Sequence, residues 1–268
     1  RIVIGENGEV ARVEMRERFD SHKLIEEFMV TANVAAAETL EKKRQPCMYR
    51  IHDEPSMEKM ENLRQFLDSL SIRLAKGQAI RAELFNRILG KVKDTPNATM
   101  VNEVVLRSQS QAEYNPDNIG HFGLALRRYC HFTSPIRRYA DLLVHRALIR
   151  GLDLGEGGLE EDAKNFANIG ETLSKNERRA AAAERSSVDR FCASYLAEKV
   201  GALFAGRING VTRFGLFVTL NDTGADGLVP MRSLPDDYYI HDEAQHQLRG
   251  RRSKKVYRLG DSVDVMLM

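Results

Sequence analysis

Forty consecutive residues, 160–199, contain one glycine, Gly170, and no proline, and directly after Gly201 the sequence breaks into short β-rich runs. The first stretch permits one long helix, with Gly170 as the place for a kink, whereas the second permits only short strands with glycine turns. The chain is therefore expected to be α+β in two parts: a mostly helical region over residues 1–200, then a small all-β antiparallel barrel over residues 201–268. Its 268 residues, 43% of them hydrophobic, can bury more than one core. Neither internal repeats nor low-complexity segments suggest a fibrous or solenoid alternative.

Within the first region, Leu24, Ile25, Phe28, Met29 and Ala32 recur at helical spacing over residues 21–43. Ser56 after Pro55 reads as an N-cap with Glu58 in the first turn, and Met60, Leu63, Leu67 and Leu70 form the stripe of a second helix. Residues 78–92 and 98–112 repeat the pattern across the Thr95-Pro96-Asn97 turn. Residues 1–4, 10–15 and 121–126 alternate as strands do. In the second region the same alternation marks residues 202–208, 214–220, 227–231 and 263–267.

Charge is balanced overall, with 40 Lys and Arg against 38 Asp and Glu, but residues 121–150 hold six arginines and one acid, Asp141. There Thr133-Ser134-Pro135-Ile136-Arg137-Arg138 has the grammar of a helix start, with Ser134 as N-cap and Pro135 at the first helical position. Two cations in a first turn oppose the helix dipole by about 0.3–1 kcal/mol each. Guanidinium forks and free backbone N–H groups converging at one point suit a phosphate group; the plainer reading is that Arg137 and Arg138 pair with acids elsewhere in the fold. His131 and His145 read as packing or hydrogen-bonding histidines rather than general bases. Cys47, Cys130 and Cys192 are too few and too scattered for a disulfide framework or a zinc site, which suggests reduced thiols and a cytoplasmic setting. No run approaches the roughly 18 apolar residues that a membrane span needs.

Residues 123–148, G-L-A-L-R-R-Y-C-H-F-T-S-P-I-R-R-Y-A-D-L-L-V-H-R-A-L, resemble the signature of the ribonuclease II and ribonuclease R exoribonucleases. His22-Lys23-Leu24-Ile25-Glu26-Glu27-Phe28-Met29 and Tyr49-Arg50-Ile51-His52-Asp53-Glu54-Pro55 resemble the same family, and the likeness is nearer to its ribonuclease R branch. On this resemblance residues 1–200 are the distal half of an RNB catalytic domain. Residues 201–268 resemble an S1-type OB-fold barrel, through Gly206-Arg207-Ile208-Asn209-Gly210-Val211, Phe214-Gly215-Leu216-Phe217-Val218 and Gly227-Leu228-Val229-Pro230.

The resemblance implies processive 3′-to-5′ hydrolysis of single-stranded RNA to 5′-nucleoside monophosphates with Mg²⁺. It places Arg137 beside the scissile phosphate as the catalytic cation, with Ser134, Arg138 and Tyr139 around the RNA. It also gives a glutamate that contacts the RNA 3′ end, matched by both Glu26 and Glu27, and a further one on the long helix, matched by Glu184. In the barrel, Phe214 and Phe217 are candidates for stacking on bases, against the alternative of ordinary core aromatics. Arg207, Arg213, Arg232 and the run Arg249-Gly250-Arg251-Arg252-Ser253-Lys254-Lys255 would attract phosphates, although such a run also suits a solvated loop.

Departures from the family pattern shape the expectation further. The aspartate cluster that holds metal in the family has no match: Asp236-Asp237 falls in the barrel and Glu160-Glu161-Asp162 at a helix start. The Mg²⁺ ligands are therefore expected outside this chain, which by itself should bind RNA without hydrolysing it. Ala140 stands where many relatives carry proline, and Pro230 where the barrel family often has histidine. A start without Met and an alternating final run, residues 262–268, suggest a piece of a longer polypeptide lacking the barrel's last strand. Single-stranded RNA is the expected partner, with no membrane and no obligate protein partner. The rival readings are a non-catalytic RNA-binding module and a helical interaction protein whose long helix is an assembly surface. The long helix's stripe, Phe166, Leu173, Ala180, Ser187 and Phe191, reads more simply as core packing.

Overall fold

The computed structural model describes residues 2–13, 17–75, 80–160, 165–235 and 237–268. In chain order the elements are strands β1 (Ile2–Ile4) and β2 (Val10–Val13), helix α1 (Asp20–Lys42), β3 (Tyr49–Ile51), helices α2 (Met57–Ser69), α3 (Ala82–Val92) and α4 (Ala98–Ser108), and β4 (Glu113–Asn115). Helices α5 (Tyr139–Leu152) and α6 (Phe166–Ala197) follow, then strands β5 (Leu203–Thr212), β6 (Gly215–Leu220), β7 (Asp226–Pro230), β8 (Tyr239–Asp242), β9 (Gln247–Gly250), β10 (Val256–Arg258) and β11 (Ser262–Met266).

The expected helices are present, with edges set by local chemistry. Ser56 caps α2 by accepting the Lys59 N–H at 3.3 Å, and α6 runs through Gly170 unbroken. That glycine serves close packing rather than a kink: a Cβ there would lie 2.5 Å from the Tyr114 carbonyl oxygen. Residues 121–126, expected as a strand, instead fold into a short 3-10 turn, Phe122–Leu124, because the buried His52 accepts the Gly123 N–H at 2.8 Å and draws the loop inward. The sequence reading missed β3 and β4, which pair antiparallel. Residues 1, 14–15, 78–79, 161–164 and 236, which carried parts of the expected strands, helices and acidic runs, lie outside the described residues.

Among the described residues, two hydrophobic cores lie mainly in the helical region, and a further one joins Cys192 and Leu196 of α6 to Leu220 and Ala225 of the barrel region. One packs Leu40 of α1, Met48, Leu143 and Val144 of α5 and Phe166 of α6. The other packs α2, α3 and α4 through Leu63, Phe66, Leu67, Val101 and their neighbours, and it also takes in Leu259 from the barrel. The buried face of α1 is its second half, Asn33, Ala36, Ala37 and Leu40; Leu24, Ile25 and Phe28 are more than half exposed. On α6, Phe166 is buried, but residues 178–191 are exposed on every side, so core packing accounts for only the first part of the expected stripe.

The barrel region has two antiparallel sheets, one in the order β11-β5-β6-β7 and one in the order β8-β9-β10. Leu216 and Val218 of β6, Ile208, Tyr239, Leu248 and Tyr257 form its core. Strand β11 pairs with β5 from Ser262↔Arg207 to Met266↔Leu203 and lies at the sheet's edge. The barrel sits against the α2–α4 helices: His246 meets the Phe66 ring edge-on at 5.3 Å, and Arg207 donates to Thr99 Oγ1 at 3.2 Å. Gly260, with φ of 89°, leaves room for Met100, whose Cβ would lie 3.1 Å from any added Cβ.

Candidate nucleic-acid site

The arginine-rich segment is a turn ahead of a helix and not the helix's first turn. Arg137 and Arg138 direct their N–H groups to Ser134 O at 3.3 and 3.1 Å, Arg138 is extended at φ −126° and ψ 118°, and α5 begins only at Tyr139. The physical reason is Asp141. Its carboxylate, fully buried, accepts the Ser134 backbone N–H at 2.7 Å and Arg138 Nη2 at 2.8 Å, and its other oxygen lies 2.8 Å from Arg138 Nε. An acid in a first turn is favoured by the helix dipole, and here it also folds the preceding turn back onto itself. Ser134 is therefore not the N-cap, and it is its backbone that is engaged.

Asp141 separates the two arginines. The plain ion-pair reading holds for Arg138, whereas Arg137 has no side-chain hydrogen bond or ion pair among the described residues and projects from an exposed turn beside the fully exposed Ile136 and the exposed Tyr139. An unpaired guanidinium fork on a turn with a braced backbone is suited to a bidentate contact with phosphate oxygens.

The brace reaches back through residues 129–132 to α1. Asn33, buried, accepts the Phe132 N–H at 2.8 Å and donates to Tyr129 Oη at 3.1 Å, and the Cys130 thiol donates to the Asn33 carbonyl at 3.3 Å. His145 donates to the Phe132 carbonyl at 2.8 Å and stacks on its ring. His131 Nδ1 shares a 2.8 Å hydrogen bond with Tyr114 Oη; Arg50 lies 4.7 Å over the Tyr114 ring and is held by Glu177 at 2.6 Å. Both histidines are thus bonded parts of the frame. Sequence reasoning missed Asn33, whose only signal is a polar residue on the apolar face of α1.

Burial, followed by the nearby charges of Arg138 and Arg50, pushes His131 down to about 3, and burial followed by His52 pushes His121 down to about 4. Both are neutral in the folded chain above these values and protonated below about 6.5 when unfolded. The unfolded chain then binds more protons, so stability is full above pH 6.5 and falls as the pH drops toward 4. The melting temperature should fall over that window, and His131→Gln should flatten the fall; an equally steep profile in the variant would refute the assignment.

Helix geometry distinguishes the two glutamates on α1. Glu26 is two turns before Asn33 and shares its face, whereas Glu27 is turned about 100° away. Glu26 pairs with Arg18 at the exposed end of the helix. Glu184 lies on the exposed stretch of α6 without a side-chain partner among the described residues. In the barrel, Phe217 alternates with the buried Leu216 and Val218 and faces outward at 38% exposure, while Phe214 is 55% exposed at the turn before β6. Phe217 pairs in register with Gly210 and Leu228, giving a half-apolar outer face. Arg213 and Arg232 are exposed; Arg207 is exposed too, but it holds Thr99 and the Gly260 carbonyl.

No three His, Cys, Asp or Glu side chains among the described residues come together so as to hold a metal ion. Among the described residues, no helix is long and apolar enough to cross a membrane.

Residues 1–153 match the RNB domain, and residues 198–267 match the S1 RNA binding domain. Ribonuclease R of Aquifex aeolicus is 40% identical over 264 residues, covering 98% of this chain and 37% of the relative. Ribonuclease R of Escherichia coli is 42% identical over 265 residues, covering 96% and 33%. The chain thus spans about a third of the length of these curated relatives. Mycoplasma genitalium RNase R in complex with ribose methylated single-stranded RNA superposes with a TM-score of 0.88 at 28% identity, covering 99% of this chain and 42% of that one. Yeast Ssd1, a pseudonuclease, shares the fold with a TM-score of 0.69 at 21% identity.

Proposed function

The chain belongs to the RNB domain family, and from that premise we propose that it is the RNA-holding portion of a 3′-to-5′ exoribonuclease that hydrolyses single-stranded RNA to 5′-nucleoside monophosphates. The observation that carries the reading is the division of labour in the turn before α5: Asp141 neutralises Arg138 and leaves Arg137 unpaired and exposed. Arg137 binds the scissile phosphate and stabilises the charge that grows on its oxygens as water attacks phosphorus and the 3′ oxygen of the preceding nucleotide departs. Tyr139 and Ser134 border that phosphate, and Arg138 fixes the turn. Glu26, on the face of α1 that braces the turn, is the glutamate assigned to the RNA 3′ end, and Glu184 of α6 is a second contact farther along the strand.

Phe214 and Phe217 stack on bases of the incoming strand without sequence preference. Mg²⁺ in the intact enzyme would neutralise phosphate charge; among the described residues no group of three His, Cys, Asp or Glu is placed to hold it.

Incubating the 268-residue chain with a 5′-labelled single-stranded RNA of about 20 nucleotides and Mg²⁺ should give a retarded band of full-length RNA with no ladder, since barrels of this kind cover roughly 4–16 nucleotides. Progressive shortening would show that the carboxylates are in this chain after all. Absence of any retarded band would remove the RNA-holding role.

A further inference from the structure

The three-stranded sheet β8-β9-β10 is not used by the function proposed above. Its inward residues, Tyr239, Leu248 and Tyr257, belong to the barrel core, so by strand alternation the row Ile240, Arg249 and Val256, aligned in register, forms its outer face. Beyond β9 the chain turns through Arg251, Arg252, Ser253, Lys254 and Lys255, all exposed.

That basic turn is built, and not a slack loop. The Asp237 carboxylate accepts four hydrogen bonds, from the N–H groups of Tyr238 (2.7 Å), Arg252 (3.0 Å) and Ser253 (2.8 Å) and from the Ser253 hydroxyl (2.6 Å). These bonds, the Ser253 hydroxyl first, hold its carboxyl well below the usual carboxylate range. Gly250 is required beneath it, since a Cβ there would lie 2.5 Å from Asp237 Oδ2. Asp237 is thus the organiser of the turn, and it sets the cations in one arrangement before any ligand arrives. Arg249 and Arg251 have no side-chain hydrogen bond or ion pair among the described residues, and Tyr238, 68% exposed, stands beside them.

We propose that the outer face of this sheet, with its Asp237-organised turn, is a second RNA-binding surface, separate from the Phe214 and Phe217 face on the other sheet. The inference rests on the reading that the chain holds RNA and adds a place where the strand is gripped. Unpaired guanidinium groups beside an exposed tyrosine suit a strand that offers both phosphates and base faces. Exposed large apolar side chains on this face are confined to Tyr238 and Ile240, too little for a protein interface core. A turn ordered in advance spares the ordering entropy that a flexible basic loop would lose on binding.

The test measures affinity of the full chain for a single-stranded RNA of about 20 nucleotides as a function of salt. The double variant Arg249→Gln with Arg251→Gln changes only exposed side chains. Removing the two guanidinium groups that would neutralise phosphates should shrink the log–log salt slope by about 1.4 and raise the Kd at about 0.1 M salt roughly 20-fold. Asp237→Ala sharpens the distinction. It makes the chain one charge more positive, so attraction alone predicts tighter binding, whereas the proposal predicts weaker binding because the turn loses its organiser. An unchanged slope in the double variant, or tighter binding in Asp237→Ala, overturns the second surface. If Phe214→Ala weakens binding while the double variant does not, RNA binding stands and this surface alone falls. If the unmodified chain binds no RNA, both fall.

Discussion

A full-length enzyme carrying Arg137→Ala is expected to lose about 10²–10³-fold in the single-turnover rate of RNA hydrolysis while its RNA affinity at about 0.1 M salt changes by only about fivefold. The asymmetry follows from the site. One phosphate contact is a small part of the grip on a long strand, which the barrel also holds, but it is the contact at the reacting phosphate, where negative charge grows as the bond breaks. Arg137→Lys should recover little, because an ammonium is a point charge and cannot match two phosphate oxygens with a planar fork. Paired measurements of rate and Kd decide the matter. An unchanged rate would end the assignment, and a loss shared equally between rate and affinity would reduce Arg137 to a binding residue.

Removing the carboxylate that organises the same turn should cost stability instead. Asp141→Ala leaves Arg138, four-fifths buried, without its counter-charge and leaves the Ser134 N–H without an acceptor. Breaking a buried pair from one side costs about 3–5 kcal/mol, which corresponds to a fall of roughly 10 °C in melting temperature for a chain of this size. Asp141→Asn keeps an acceptor oxygen for Ser134 and should recover part of the loss. A shift below about 2 °C by circular dichroism would mean that the pair is solvated and that the turn is held otherwise.

These two residues also mark where reading the sequence stopped short. The helical spacing of α1 and the Ser56 cap of α2 are local signals, and the structure keeps them because nothing distant competes. Ser134-Pro135 carries an equally good local signal for a helix start, yet Asp141, seven residues on, takes the Ser134 N–H and moves the start to Tyr139. Residues 121–126 alternate like a strand, but His52, 71 residues before Gly123 in the chain, sets their shape. The arginine excess is visible in the sequence, while the different states of Arg137 and Arg138 depend on burial, which spacing does not encode. Strands β8, β9 and β10 escaped because each is only three or four residues long, too short for alternation to stand out.

Leu259 packs among helices that were completed far earlier in the chain, its side chain closing the core of α2, α3 and α4. A polypeptide is made from its N-terminus, so those three helices leave the ribosome with a gap in their core that only the late barrel fills. At about 5–20 residues per second, the gap stays open for roughly eight to thirty seconds of synthesis. During that interval the apolar walls around Leu63 and Val101 face water or a chaperone, and this half of the molecule reaches its final stability only when Leu259 is in place.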